Sequence, residues 1–235
     1  LARVADDSSN QIVEKLEGYT VLSTSINMVS AGQLIFKRTM DICGGLVGML
    51  LTGIIFVFVA PIIYIKSPGP IFFAQERIGR NGRKFKMYKF RSMAVQSAAK
   101  EKSQWTTPGD PRVTPIGRFI RKTSIDELPQ LFNILIGDMS FIGPRPERPE
   151  IIAQYVEQMP EFVFRMKVKA GLAGYAQVYG KYNTTPYDKL KLDLMYIQNY
   201  SILLDLRLIL MPVKIMFIKD STEGFEEIKP SEKKD

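Results

Sequence analysis

The chain has 235 residues, an apolar share of 46% and a formal net charge of +8, which suits one sizeable core and anionic partners rather than global disorder. It contains no histidine and a single cysteine, which excludes imidazole acid–base work, Ser-His and Cys-His nucleophiles, disulfides and zinc clusters. Chemistry here must rest on carboxylates, Lys, Arg, Tyr or hydroxyls, with an oxygen-ligated cation such as Mg²⁺ as a helper.

Residues 1–33 are polar and mixed, and read as a linker or the tail of an upstream module. The chain opens on Leu1 rather than methionine, so it is expected to be a processed product or a piece of a longer protein. Residues 34–67 carry the membrane segment. From Ile42 to Ile65 no residue is charged, a run long enough to span a bilayer as a helix. Cys43 within it is expected to be a packed, inert thiol. Lys37 and Arg38 precede the run, and Lys66, Arg77, Arg80 and further basic residues follow it. Basic flanks favour the cytoplasm, so both ends resist export and a re-entrant hairpin is favoured over a simple span. Gly53 and Pro61 offer places to break the helix, and the bend is expected between Thr52 and Pro61.

Lys66-Ser-Pro-Gly-Pro70 is a turn that closes this segment. Ile71–Gln75 and Phe85–Phe90 read as short strands, with Asn81-Gly82 as the hairpin turn. Ala94–Pro115 is polar and loop-like, and helical patterns return over Leu128–Leu135 and Glu147–Met159. Ser201–Lys219 is apolar but punctuated by charge, and is either an interfacial helix or a core helix. The tail 220–235 is charged.

The densest chemistry lies between Arg118 and Arg148. Ser124-Ile-Asp-Glu-Leu-Pro129 has the form of a helix start, with Ser124 and Glu127 as a capping box or Asp126 as the cap. On that reading Asp126 and Glu127 serve only the helix dipole. The surroundings favour another role. Arg118, Arg121 and Lys122 lie just before the acids and Gly143-Pro-Arg-Pro146 just after, ingredients for holding a phosphate group. A carboxylate attacking phosphorus needs such neutralisation, and would form an acyl phosphate.

Four blocks make the pattern specific: Lys86-Met-Tyr-Lys-Phe-Arg-Ser-Met93, Ser124-Ile-Asp-Glu-Leu-Pro-Gln-Leu-Phe-Asn133, Gly137-Asp-Met-Ser-Phe-Ile-Gly-Pro-Arg-Pro146 and Gly171-Leu-Ala-Gly-Tyr-Ala-Gln-Val178. In this order they resemble the bacterial sugar transferase family, the monotopic phosphoglycosyl transferases, over about residues 34–219. The resemblance implies an α+β fold, mainly helical with a small β-hairpin, a re-entrant helix-break-helix and interfacial amphipathic helices. Residues 68–219 would be the catalytic domain. Asp126 would be the nucleophile and a Mg²⁺ ligand, with Glu127 its partner. Lys89, Arg91, Arg121, Asp138 and Arg145 would line the phosphate site and Gln177 would lie near the nucleotide; Arg118, from the basic cluster, joins this set.

The implied reaction moves a sugar 1-phosphate from a UDP-sugar to undecaprenyl phosphate, releasing UMP, as the first membrane step of capsule or exopolysaccharide assembly. The implied location is the bacterial inner membrane, with the catalytic domain on its cytoplasmic face. Expected partners are the UDP-sugar, undecaprenyl phosphate and bacterial membrane lipids, with no nucleic acid; a homo-oligomer is compatible with the sequence. The competing readings are a membrane-tethered basic binding module and a glycosyltransferase that moves only the sugar and releases UDP. Two departures from the family pattern stand out. Thr52-Gly53 occupies the place of the usual Ser-Pro break, and Ala170-Gly-Leu-Ala-Gly174 replaces the usual Pro-Gly-Leu-Thr-Gly, which is expected to loosen that loop.

Overall fold

The computed structural model describes residues 4–5, 11–16, 19–24, 29–95, 110–180 and 184–217. Most of the expected loop after Ala94, residues 96–109, and the charged tail 220–235 lie outside the described residues. The described fold is mainly helical with small sheets, as expected.

The stretch read as a linker contains three antiparallel strands: β1 Val4–Ala5, β2 Gln11–Leu16 and β3 Tyr19–Thr24. Leu16 pairs with Tyr19, so only Glu17 and Gly18 separate β2 from β3. Val, Ile and Thr in these short runs favour extended backbone, a signal that the surrounding Ser/Asn clusters obscured.

Helix α1 runs uninterrupted from Ala31 to Lys66. Ser30 and Gln33 cap it reciprocally, each side chain accepting from the other's backbone N–H at 3.2 and 2.9 Å. The break expected between Thr52 and Pro61 is not seen. Pro61 removes one backbone donor, but Val59, Ala60 and Ile63 around it are buried, and Val59 and Ile63 pack with Phe90 and Ile120. Thr52 instead donates its hydroxyl to the Gly48 carbonyl at 2.7 Å. At 36 residues α1 is about 54 Å long, and it is apolar enough to cross a bilayer.

One stripe of α1 faces the rest of the protein along its whole length. Lys37 donates to Asp205 at 2.5 Å, to Tyr196 Oη and to the Ile142 carbonyl. Asp41 accepts from Ser140 Oγ and the Phe141 N–H, both at 3.0 Å. Arg38 caps the carbonyls of Ile134 and Leu135. Gly45 and Gly48 come next, where an added Cβ would lie 2.8 and 2.6 Å from Leu135 and Leu131 side chains. Phe56 then stacks on Phe72, which stacks on Phe90. Beyond the helix, Arg91 donates to the carbonyls of Ser67 and Pro68. Both ends of α1 therefore touch the same domain. Its opposite side exposes Ile35, Leu46, Leu50, Val57, Phe58 and Ile65. Cys43 is exposed there too, not packed as expected, because it lies off the inward stripe.

Strands β4 (Phe72–Ile78) and β5 (Lys84–Phe90) form the expected hairpin. Asn81 and Gly82 supply the positive φ that the turn needs, 56° and 76°. Helix α2 (Pro115–Lys122) is capped by Thr114, whose hydroxyl accepts from Gly117 N–H at 3.0 Å. Helix α3 (Gln130–Ile136) packs on α1 and β5, with Leu131 and Ile134 joining Phe85, Met87 and Met139 in one core. Strand β6 (Met139–Ile142) pairs in parallel with β7 (Ala170–Ala173). The segment expected to be loosened is thus a strand, and the Ala173 carbonyl accepts from Gly143 N–H at 3.0 Å. That bond uses backbone alone, so alanine in place of threonine leaves it intact.

Helices α4 (Pro149–Gln158), α5 (Tyr175–Tyr179), α6 (Pro186–Gln198) and α7 (Ile202–Phe217) complete the fold. On α7, Asp205 and Leu208 are buried while Leu203, Leu206 and Leu210 are exposed, so it contributes to the core and also carries an apolar outer face.

Asp205 is fully buried and Lys37 is its cation. Removing one partner of such a pair strands the other charge, at about 3–5 kcal/mol. Lys37→Met should destabilise the protein by that amount in a thermal melt in detergent, and adding Asp205→Leu should restore much of the loss. An unchanged melting temperature in Lys37→Met would show that the pair does not anchor α1.

Candidate active site

The dyad sits in a kink between α2 and α3. Ser124 adopts a left-handed conformation, φ 56°, and Ile125–Glu127 then make a single tight turn. Ser124 forms no side-chain cap, and α3 begins at Pro129 and Gln130 without one. Neither a capping box nor an Asp126 cap exists here, so the two carboxylates are not consumed by helix ends. Ile125 and Leu128 turn into the core beside Phe90 and Ile120, which aims Asp126 and Glu127 the other way.

They face a cavity of about 600 Å³ walled by β4, β5, α2 and the Pro144–Arg148 turn. Lys89, Arg91, Arg121, Asp126, Glu127 and Arg145 all line it. Glu127 Oε1 accepts from Lys89 Nζ at 2.6 Å and from Arg145 Nη2 at 2.8 Å. Burial alone would raise the Glu127 pKa, but the charges of Arg145 and Lys89 and both hydrogen bonds outweigh it and hold the carboxyl at about 2. Asp126 is 8% exposed, and among the described residues no cation pairs with it directly. Burial raises its pKa, Lys89 and Arg121 oppose the shift, and the Glu127 charge adds to it. Adjacent carboxylates are thus driven apart: one an anion near neutrality clamped by two cations, the other unclamped and more basic.

Arg121 is held by Ser92, its Nε donating to the hydroxyl at 2.7 Å. Arg91 lines the cavity, but its guanidinium is committed to the Ser67 and Pro68 carbonyls. It ties α1 to the site more directly than it could grip a phosphate. Three expected site residues do not line the cavity. Arg118 is on the exposed side of α2, Asp138 follows Gly137 at the far end of α3 from the dyad, and Gln177 is exposed on α5. Motif position had suggested Asp138 for the phosphate site and Gln177 for the nucleotide, and the basic cluster had suggested Arg118; none of the three is among the residues lining this cavity.

The cavity also holds residues that the sequence reading did not single out: Phe73, Gln75, Arg77, Glu147 and Arg148. Phe73, Gln75 and Arg77 alternate along β4, and Phe73 is paired with Lys89 across the hairpin. Period-two spacing on a strand already assigned was the signal available. Arg77 donates to Gln75 Oε1 at 2.6 Å and the Pro146 carbonyl at 3.1 Å, fixing the turn that carries Arg145. Behind that turn, buried Arg165 pairs with Asp193 and donates to the Arg145 carbonyl at 3.0 Å.

With this geometry established, comparison with known proteins gives a match to the family model described as bacterial sugar transferase, over residues 32–219. The chain belongs to the bacterial sugar transferase family. Among curated members of the family, the galactosyl transferase CpsE of Streptococcus agalactiae is 39% identical over 224 residues, covering 91% of this chain and 49% of that protein. The undecaprenyl-phosphate glucose phosphotransferase of Komagataeibacter xylinus is 37% identical over 219 residues, or 90% of this chain and 41% of that protein. A Bacillus subtilis protein named as a putative undecaprenyl-phosphate N-acetylgalactosaminyl 1-phosphate transferase is 41% identical over 160 residues, 68% of this chain and 89% of that protein. The chain spans about half the length of the first two of these sugar transferases.

The lowered Glu127 pKa has a definite sign. A carboxyl held below its ordinary value of 4.5 stabilises the fold fully above that pH and loses the effect as pH falls toward about 2. Wild type should therefore melt higher than Glu127→Gln near neutrality, and the gap should close as acid is added below pH 4.5. A gap independent of pH would show that the Lys89 and Arg145 pairs do not stabilise the folded state.

Proposed function

We propose that this chain is the catalytic part of a phosphoglycosyl transferase, in which Asp126 attacks the sugar-bearing phosphorus of a UDP-sugar. The observation that carries the reading is the asymmetry of the dyad: beside a clamped Glu127, an unclamped carboxylate faces a cavity lined by Lys89, Arg77, Arg121, Arg145 and Arg148. Attack by an Asp126 oxygen forms an acyl phosphate to the sugar 1-phosphate and breaks the diphosphate bridge, so that UMP leaves. A phosphate oxygen of undecaprenyl phosphate then attacks the same phosphorus. The bond to Asp126 breaks, the carboxylate is restored, and the sugar ends on a lipid diphosphate. Neither step needs a proton from the protein, which agrees with a site free of histidine.

Each basic residue has a definable task. Lys89 and Arg145 are held by Glu127 at fixed positions, so they meet developing phosphoryl charge without reorganising. Arg121, oriented by Ser92, lies near enough to Asp126 to stabilise its ionised form. Burial makes Asp126 a more basic, and so stronger, nucleophile when ionised. For Mg²⁺, no group of three acidic, Cys or His ligands exists among the described residues. Mg²⁺ is commonly held by one or two carboxylates with substrate phosphates and water completing its shell. Asp126 fits that donor set and would be the residue that holds it. The ion would supply charge neutralisation on the diphosphate.

The anchoring of α1 at both ends supports a membrane arrangement. A straight crossing would place Lys37 and Ser67 on opposite sides of the bilayer, yet both ends bond to one domain. We therefore favour α1 entering a single leaflet with both ends on the cytoplasmic face of the inner membrane, its outer side in lipid. Names of the relatives support undecaprenyl phosphate as the acceptor and capsule or exopolysaccharide assembly as the setting. A basic binding module needs no buried unpaired carboxylate, which disfavours that alternative.

Incubating the protein with a panel of UDP-sugars and Mg²⁺, without acceptor, should give an intact-mass adduct of one sugar phosphate on Asp126 and an equivalent of UMP. Asp126→Asn should form none, and excess chelator should stop turnover. Release of UDP, or an adduct on another residue, would overturn the mechanism.

Topology can be tested separately. Ala31→Cys and Lys66→Cys, each in a Cys43→Ser background, flank α1 at exposed positions. In intact cells an impermeant thiol reagent should label neither, and both should react once the inner membrane is opened. Labelling of either from outside would mean a true span.

A further inference from the structure

A second cavity lies on the other side of the β4–β5 hairpin. It measures about 340 Å³ and is walled by Met49, Thr52, Gly53 and Phe56 of α1, Phe72 and Tyr88 of the hairpin, and Pro129 and Phe132 of α3. Its lining is apolar: the Thr52 hydroxyl, the polar group on the helix side, is spent on the Gly48 carbonyl. Tyr88 and Phe132 meet edge to face at 5.8 Å and form one wall.

Three observations connect this groove to the catalytic cavity. Tyr88 and Lys89 are neighbours on β5 and point to opposite faces, one into each cavity. Phe72, at the end of β4, lines both cavities and forms the partition where they meet. Pro129 is three residues beyond Asp126, so the groove begins within one turn of the nucleophile. The groove also opens outward, since its lining residues Phe72, Phe132 and Phe56 are all partly exposed.

A cationic cavity and an apolar groove joined at an aromatic partition match a ligand with an anionic head and a hydrocarbon tail. We propose that this groove seats the isoprene units nearest the phosphate of the polyprenyl phosphate acceptor. The assignment rests on the phosphoglycosyl transferase reading above. At roughly 30 Å³ per water-sized group the groove holds about eleven heavy atoms, or about two five-carbon isoprene units. The rest of the chain would leave past Phe132 into the bilayer. The groove thus sets how far the acceptor phosphate stands from the lipid and brings it within reach of the aspartyl phosphosugar, while the UDP-sugar never enters it.

Gly53 makes the test clean, because an added Cβ there meets nothing within 4 Å. Gly53→Leu should fill the groove without disturbing the protein. Formation of the Asp126 adduct from UDP-sugar alone should proceed as in wild type, while kcat/KM for undecaprenyl phosphate falls about tenfold or more, as expected for a mismatch in an apolar pocket. Phe132→Asp, which puts charge into the wall from a partly exposed position, should show the same split. Wild-type protein should also be labelled at Met49 or Phe132 by a photoreactive farnesyl phosphate, and undecaprenyl phosphate should compete where excess phosphatidylglycerol does not. Unaltered acceptor kinetics in both variants would overturn the proposal, as would competition by phosphatidylglycerol as effective as that by undecaprenyl phosphate, which marks a general lipid contact. Failure of wild type to form any adduct would instead refute the enzymatic reading on which the groove depends.

Discussion

Side chains on a β-strand alternate between two faces, and in a two-stranded hairpin nothing else separates those faces. Along β5 this puts Lys89 toward the charged cavity and Tyr88 toward the apolar groove; along β4 it puts Phe73, Gln75 and Arg77 on the charged side. A slip of one residue in the pairing would exchange the two sets. The Asn81-Gly82 turn prevents that slip, since both residues hold the positive φ that fixes the register of a short connection. The aromatic stack of Phe56, Phe72 and Phe90 then presses the apolar face onto α1.

The same economy governs the dyad. Two adjacent carboxylates surrounded by cations would ordinarily share them, and both would become weak nucleophiles. Here Lys89 and Arg145 converge on one oxygen of Glu127, and the left-handed Ser124 turns the chain so that Asp126 lies off that axis. Glu127 therefore serves as an electrostatic anchor. It keeps two cations in place while leaving its neighbour unclamped. Arg165 and Asp193 hold the backbone of Arg145 from behind, so the clamp is fixed at both ends.

Much of this was legible because it is local. The hairpin, its turn, the uncharged run and the Asp126-Glu127 pair each leave a signature within a few residues. Where the structure departs from the sequence reading, the cause is not local. Ser124 looked like a helix cap because composition cannot reveal a positive φ at a serine. Arg91 lines the cavity as expected, yet its guanidinium bonds carbonyls more than twenty positions earlier, which motif position could not show. Arg118 was suggested by its basic cluster and Asp138 and Gln177 by motif position, and none of the three lines the cavity. An expected helix break at Gly53 and Pro61 was overridden by packing of Val59 and Ile63 against Phe90 and Ile120. One of the basic residues flanking the uncharged run has a structural partner that the sequence could not show: Lys37 pairs with buried Asp205.

The bonds from Arg91 to Ser67 and Pro68 have a mechanical meaning. Arg91 is two residues beyond Lys89 on the same extended segment, so the last turn of α1 and the strand bearing the cation beside the dyad are joined by a bracket of a few atoms. At the other end Lys37 and Asp41 fasten the helix to α7 and β6. A rod fixed at both ends cannot tilt without applying a torque to its mounts. In the proposed membrane arrangement, bilayer thickness and lateral tension are therefore loads on this frame, and its stiffness decides how faithfully the cavity keeps its shape as lipid composition changes.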